Sequence, residues 1–254
     1  MEAMLSLSHV GYSYHTVDGE TPALTDINFT VDSGEFVAIV GPSGCGKSTL
    51  LSLICGLIQP ETGQILFEGQ PHTTSRQIGY MLQKDHLFEW RTIYRNVLLG
   101  LEIQDTITDE HLSRIDRMMK VYGLTAFADR RPSALSGGMK QRAALIRTLA
   151  LDPQLLLLDE PFSALDYQTR LEVSDDIGNI IRGEGKTAIL VTHDLGEAIS
   201  MADRIIILSH RPGTVRQIIP IVFPLPYDTP LKKRNAPEFS HYFDQIWKEL
   251  KTDG

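Results

Sequence analysis

The sequence has little of what an extracellular or membrane-spanning chain needs. Its 254 residues include only two cysteines, Cys45 and Cys55, so no disulfide framework is expected. The strongest apolar runs, 155–158 and 205–208, are far too short to span a bilayer. The N-terminus also lacks the basic stretch and apolar core of a secretory signal. The sequence therefore predicts a soluble, intracellular chain, which leaves any membrane crossing to another polypeptide.

A surplus of basic residues is also missing. The chain has 24 Lys and Arg against 32 Asp and Glu, a formal net charge of −8, which argues against a surface that coats nucleic acid. It does not argue against a small anionic ligand, because a local pocket can oppose the sign of the whole chain. The hydrophobic share of 42% and the charged share of 22% are those of a globular protein. This length favours one domain with an inserted lobe.

Apolar periodicity predicts strands near the N-terminus, a helical middle and an alternation of strands and helices afterwards. The alternation from residue 155 to residue 208 is typical of a largely parallel sheet covered by helices. The predicted strands are 5–14, 24–31, 35–40, 77–82, 155–159, 187–191 and 204–208. The predicted helices are 47–57, 93–101, 108–122, 140–151, 167–182, 195–201 and 239–250. In the proline-rich tail, we expect residues 232–234 to be a solvated basic run.

A glycine-rich segment lies between a predicted strand and a predicted helix and fits the pattern G-x-x-x-x-G-K-[ST]. Glycines let backbone N–H groups turn toward phosphates, and the helix N-terminus adds a favourable dipole. Lys47 is expected to reach the outer phosphates, and the Ser48 hydroxyl to hold Mg²⁺. A reactive thiol at Cys45 is the alternative to a small space-filling side chain, which we favour. The segment is Gly41, Pro42, Ser43, Gly44, Cys45, Gly46, Lys47 and Ser48, followed by Thr49.

Two carboxylates follow the apolar strand 155–158. In a parallel sheet, ligands bind at the carboxyl ends of the strands. Asp159 therefore suits the outer sphere of Mg²⁺, and Glu160 suits a base that polarises an attacking water. The alternative is a pair of plain surface carboxylates after a buried strand.

A second glycine motif identifies the family. Ser136, Gly137 and Gly138 precede a predicted helix, so a hydroxyl and backbone amides form another phosphate-binding terminus. One chain does not need two such termini for one nucleotide, whereas two chains arranged head to tail do. The segment Leu135-Ser136-Gly137-Gly138-Met139-Lys140-Gln141-Arg142 resembles the LSGGQ signature of ABC (ATP-binding cassette) ATPases, with Met139 where the family usually has Gln.

The resemblance extends to further landmarks in the expected order. Tyr14, with Tyr12 as the alternative, is similar to the aromatic residue that stacks on adenine. Gln83 resembles the glutamine that touches Mg²⁺ and senses the membrane subunit. Asp166 matches a loop that communicates across the dimer, or is simply a helix N-cap. His193 resembles the histidine that contacts the γ-phosphate.

The resemblance implies an α/β fold: a P-loop NTPase (RecA-like) core with an N-terminal antiparallel β region and an inserted α-helical lobe. It implies one domain over 1–254. Residues 1–83 and 152–225 are expected to form the catalytic core, 84–151 the helical lobe with the signature helix, and 226–254 a C-terminal tail.

Three short segments resemble the nitrate, sulfonate and taurine importer branch of the family. They are 86–93 with its Leu87-Phe88-Glu89-Trp90 core, 208–213 with Arg211-Pro212-Gly213, and 237–239. Glu89 stands where the branch usually has proline. The length leaves no room for the large regulatory domain of some sugar importers.

The resemblance implies an ATPase subunit that binds ATP and Mg²⁺ and powers import of a small solute. Its expected partners are a second ATPase subunit, in a homodimer, and membrane-spanning permease subunits, with an extracytoplasmic substrate-binding protein acting indirectly and no nucleic acid. Its expected location is the cytoplasmic face of the cell membrane. The alternatives are a soluble ABC ATPase of an assembly or repair complex, and a nucleotide-regulated binding module without hydrolysis.

Overall fold

The structure is a computed structural model that describes residues 3–17, 19–71 and 77–251. Its strands are β1 Leu5–Thr16, β2 Gly19–Val31, β3 Phe36–Val40, β4 Thr62–Phe67, β5 Gln70–Pro71, β6 Ile78–Met81, β7 Leu155–Asp159, β8 Thr187–Val191, β9 Arg204–Leu208 and β10 Val215–Pro220. Its α-helices are α1 Lys47–Ile54, α2 Ile93–Gln104, α3 Asp109–Val121, α4 Gly137–Leu149, α5 Tyr167–Gly183, α6 Leu195–Met201, α7 Pro230–Lys233 and α8 Pro237–Lys251.

The strands form two sheets. An antiparallel sheet has the order β2-β1-β4-β5, and a six-stranded sheet has the order β10-β9-β3-β8-β7-β6. In the larger sheet β6, β7, β8, β3 and β9 run parallel, and the edge strand β10 is antiparallel to β9. The α/β class, the N-terminal antiparallel region and the mainly parallel core are confirmed.

Both faces of the central strands are buried, so β3 is apolar at every position, and β7, β8 and β9 are apolar apart from one end residue each. Along β3, Phe36, Ala38 and Val40 pack into a core shared with the helices, while Val37 and Ile39 face a second core shared with the antiparallel sheet. The parallel register brings the carboxyl ends of β3, β6, β7 and β8 to one edge. The loops that leave these four strands carry the phosphate-loop residues, Gln83, Glu160 and His193.

Side-chain caps start the helices of the middle segment. Thr92 accepts a hydrogen bond from Arg95 N at the start of α2, and Thr108 accepts one from His111 N at the start of α3. Such caps satisfy backbone donors that a helix cannot pair internally. The three helices α2, α3 and α4 pack around buried residues that include Met118 and Met119, which are both 2% exposed.

Several sequence predictions differ from the structure. Strands β4, β5 and β10 were not predicted, and the signature helix begins at Gly137 rather than at residue 140. The basic run in the tail is not uniformly solvated, because only Lys232 is exposed. Lys233 lies 5.7 Å from the Phe223 ring centroid, and burial lowers its pKa to about 8. Arg234 is half-buried between α5 and α6.

No helix in the described part of the chain combines the length and apolar character that a bilayer crossing requires.

Candidate functional site

The phosphate-binding motif lies between β3 and α1, as the sequence predicts. The loop is tight: Cys45 N donates to Pro42 O at 3.3 Å, and Gly46 caps α1 with φ of 106°. A side chain at Gly46 would also meet Leu24 Cδ2 at 2.6 Å, so both the dihedral and the packing require glycine. Cys45 is 1% exposed, and burial raises the pKa of its thiol. These features are those of a space-filling residue rather than a reactive thiolate.

Lys47 lies along the loop and is only 8% exposed. Its Nζ donates to Gly41 O and Pro42 O, at 2.9 Å each. The ammonium group is therefore held by backbone carbonyls at the first turn of a helix, where phosphate oxygens are strongly favoured.

A cavity of about 640 Å³ opens above this loop. Tyr14 forms one wall, is 42% exposed, and shares a hydrogen bond of 3.0 Å with Thr49 Oγ1. Tyr12, the alternative, is half-buried against the core and meets the Tyr14 ring edge-on at 5.1 Å. Tyr14 is thus the ring that offers a face to a ligand. The cavity is lined by Tyr14, Ala23, Ser43, Gly44, Gly46, Lys47, Ser48, Thr49, Glu160, His193 and Arg211.

Glu160 enters the cavity from the end of β7. Its backbone has a left-handed φ of 44°, a conformation that costs energy in any residue other than glycine and is common at functional sites. The turn is fixed from the next strand, because Glu160 N donates to Val191 O at 2.8 Å. The carboxylate is therefore aimed by a strained backbone.

Two predicted residues meet the Glu160 carboxylate. Gln83, which follows β6, donates from Nε2 to Glu160 Oε2 at 3.1 Å and to Ser163 Oγ at 3.4 Å. His193, which follows β8, places Nδ1 at 3.3 Å from the same Oε2. Residues from three parallel strands thus converge on one carboxylate.

The neighbouring groups fit a magnesium ion by their chemistry. Ser48 Oγ donates to Asp159 Oδ1 at 3.5 Å, and Tyr80 OH donates to Asp159 Oδ2 at 3.2 Å. A hydroxyl, a carboxylate and the Gln83 amide oxygen are the hard oxygen ligands that Mg²⁺ prefers.

The signature residues are not part of this wall. Ser136 caps α4, with its Oγ accepting from Met139 N at 3.4 Å. Gly137 and Gly138 pack closely on Leu165 and Val173, since a Cβ on either glycine would lie within 2.8 Å of them. None of these signature residues lines the cavity that the described part of one chain forms. The structure thus gathers Tyr14, the phosphate loop, Gln83, Asp159, Glu160 and His193, but not 136–138.

Arg211 lines the same cavity, although its sequence context indicated only the branch of the family. Its Nε donates to Pro22 O of β2 at 2.9 Å. The neighbouring Gly213 packs directly against the phosphate loop, because a Cβ there would lie 2.2 Å from Cys45 O. The sequence signal was a strand followed by Arg-Pro-Gly, but nothing in it placed this turn beside residues 41–49.

Comparison with known proteins gives one family. The family model described as ABC transporter matches residues 24–163. An uncharacterised ABC transporter ATP-binding protein of Bacillus subtilis is 48% identical over 98% of this chain and 96% of its own length. A nitrate import ATP-binding protein of Synechocystis is 41% identical over 90% and 88%. An aliphatic sulfonates import ATP-binding protein of Bacillus licheniformis is 38% identical over 92% and 89%.

Solved structures give the same picture. An ATP-binding cassette captured as a dimer in a post-hydrolysis state with ADP and Pi superposes with a TM-score of 0.72 at 30% identity, covering 87% of this chain and 100% of its own. The protein cbiO1 of Clostridium perfringens, part of the ABC transporter complex cbiONQ, gives 0.77 at 25% identity over 99% and 96%.

Proposed function

Since the chain belongs to the ABC transporter family, as a P-loop ATPase of that family, we propose that it powers import of a small solute through separate membrane subunits. The convergence of Gln83 and His193 on Glu160 beside Lys47 is the observation that carries the hydrolytic part of this proposal, and the similarity to import proteins supports the transport part. A binding module without hydrolysis would have no need of a carboxylate aimed in this way.

Each site residue has a role in this proposal. Tyr14 stacks on the adenine, and the loop 41–49 surrounds the phosphates with backbone N–H groups. Lys47 and His193 stabilise negative charge on the γ-phosphate, and Glu160 orients the attacking water and accepts its proton.

Ser48, Gln83 and Asp159 would hold Mg²⁺. The ion would supply positive charge that neutralises the phosphates. Most of the catalytic effect of this chain is then positioning and electrostatics.

The site is completed by a second copy of the chain. Ser136, Gly137 and Gly138 of one copy present a hydroxyl and helix-terminal amides to the phosphates bound by the other. The dimeric state of the cassette that superposes on this chain supports this arrangement. We propose that 1–83 and 152–225 form the catalytic core and 84–151 the helical lobe that meets the permease, with 226–254 as the tail. We therefore propose that the chain acts at the cytoplasmic face of the membrane.

Nitrate, sulfonate or taurine is the proposed class of solute. The support is the similarity to nitrate and sulfonate import proteins and the segments 86–93 and 208–213. A soluble ABC ATPase of an assembly or repair complex is the second candidate.

Affinity purification of the tagged chain from gently solubilised native membranes tests this proposal. We expect a multi-spanning permease to co-purify, together with its substrate-binding protein, whose ligand then identifies the solute. Recovery of soluble partners alone, with the chain absent from the membrane fraction, would instead support an ATPase of an assembly or repair complex.

A further inference from the structure

The C-terminal tail docks against the helix that follows His193. Pro230, at the start of α7, is buried against α5, where a Cβ on Gly178 would lie 2.9 Å from its Cγ. The Arg234 guanidinium then covers α6, since a Cβ on Gly196 would lie 2.8 Å from its Nη1. Close packing against the rigid Pro230 ring favours glycine at position 178. The tail therefore packs at a defined position against α5 and α6.

Arg234 joins a cluster of four charged side chains, which we call the switch cluster: Arg170, Asp194, Glu197 and Arg234. Arg170 Nη1 lies 3.3 Å from Asp194 Oδ2, and Arg170 Nε lies 3.8 Å from Glu197 Oε1. Asp194 and Glu197 are also the carboxylates that favour the charged form of Arg234, whose pKa burial lowers. Glu197 is 2% exposed, and burial raises its pKa to about 7.

The switch cluster contacts both segments that flank the candidate site. Arg170 Nη2 donates to Leu165 O at 2.9 Å, in the segment that follows Glu160. Thr192 Oγ1 donates to Glu197 Oε2 at 2.6 Å and accepts from Asp194 N at 3.0 Å. These bonds fix the backbone on both sides of His193.

Arg234 adds a second positive charge to this cluster. Burial raises the pKa of Glu197, whereas the charges of Arg170 and Arg234 lower it. The tail therefore supplies a charge that favours the ionised form of a carboxylate that burial penalises. In addition, Arg170 Nε and Arg234 Nη2 are buried without a hydrogen-bond partner within the described ranges, and such donors are rare in native structures.

We propose that Arg234 is a positioning residue for His193, acting through Glu197 and Thr192, so that the C-terminal tail is part of the hydrolytic machinery. This inference rests on the proposed role of His193. The tail then does more than cover apolar surface, because its cation holds the histidine at the γ-phosphate.

Two matched variants of the full chain test the inference in ATPase assays at concentrations that allow self-association. Arg234→Gln keeps the length and removes the charge, whereas Arg234→Lys keeps the charge. We expect Arg234→Gln to lower kcat about tenfold, with the Kd for ATP within about twofold of wild type. Arg234→Lys should recover most of the loss. The control is Lys232→Ala, an exposed residue of the same helix whose Nζ pairs with Asp228 at 2.8 Å, and its kcat should be unchanged.

A double-mutant cycle separates this inference from the proposed function. His193→Ala should lower the single-turnover rate about a hundredfold, and Arg234→Gln should then have less than about a twofold further effect. An undiminished effect of Arg234→Gln in the His193→Ala background would overturn the inference alone. The inference also fails if Arg234→Gln behaves like Lys232→Ala, or if it weakens ATP binding as much as turnover. Wild-type turnover in His193→Ala would instead overturn the role of His193 itself.

Discussion

His193 Nδ1 lies 3.3 Å from Glu160 Oε2, although the two residues follow different strands and are 33 positions apart in the chain. The contact exists because β7 and β8 are parallel neighbours in register, with Asp159 paired to Val191. The polar residues that follow the two strands therefore lie at the same edge of the sheet. This pair is the geometric centre of the proposed hydrolytic site, and Gln83 approaches it from β6.

Replacing Glu160 by Gln should separate ATP binding from turnover. The amide keeps the shape of the side chain but cannot accept a proton, so kcat should fall by about a hundredfold or more. Phosphate release measures the loss, and titration with a fluorescent ATP analogue should give a Kd close to that of wild type. Turnover at the wild-type rate in Glu160→Gln would refute its role as the base.

A mixing experiment should reveal a site shared by two chains. Ser136→Arg is expected to abolish hydrolysis while the same chain still binds nucleotide, and Lys47→Ala should abolish both. An equimolar mixture of the two inactive variants contains dimers with one intact composite site. We therefore expect about a quarter of wild-type activity, because roughly half of random dimers are mixed and each has one site of two. No recovery in a mixture shown to exchange subunits would exclude the shared site.

Arg211 should contribute to ATP affinity rather than to the chemical step. Arg211 lines the cavity that Tyr14 also lines, so Arg211→Ala should raise the Kd for ATP by roughly threefold to tenfold, as expected for one charge-assisted contact. The maximal rate at saturating ATP should change little. His210→Ala is the matched control, because His210 belongs to a separate pocket with Trp247. Equal affinities for Arg211→Ala and His210→Ala would contradict this role.

Glu197 should make the stability of the folded chain depend on pH in a recognisable way. Burial raises its pKa from 4.5 to about 7, so the folded state holds a proton that the unfolded state releases between these values. Its contribution is present below about pH 4.5 and is lost as pH rises through 7. The free energy of unfolding of wild type relative to Glu197→Gln should therefore fall from pH 5 to pH 8, by on the order of 2 kcal/mol.

Chemical denaturation of both chains across that pH range measures this difference. Because all other carboxylates are common to the two proteins, their effects cancel in the comparison. A difference that is constant with pH, or that grows in favour of wild type as pH rises, would show that Glu197 is ionised throughout.

The amino-acid pattern alone was enough to predict the glycine-rich loop, the polar residues at the ends of the core strands and the order in which the strands supply them. Both faces of the central sheet are buried, so each of its core strands is a short apolar run with a polar end. This pattern predicts the strand before the phosphate loop, the strand ending in Asp159 and the strand before His193. The three core strands β7, β8 and β9 have the predicted bounds. Strands β4, β5 and β10 were missed because they lie at or near sheet edges, where the apolar pattern is weaker.

Contacts between residues far apart in the sequence, in contrast, could be recognised only from the tertiary structure. The contact between Arg211 and Pro22 joins residues 189 positions apart, and Arg234 reaches the helix after His193 from a tail predicted to carry a solvated basic run. The spacing of apolar residues in the sequence predicts which side of one helix or strand is buried. The contacts of Arg211 and Arg234 depend instead on how separate elements pack against each other. A charged side chain is solvated or buried according to its neighbours in space, and those neighbours are set by the fold.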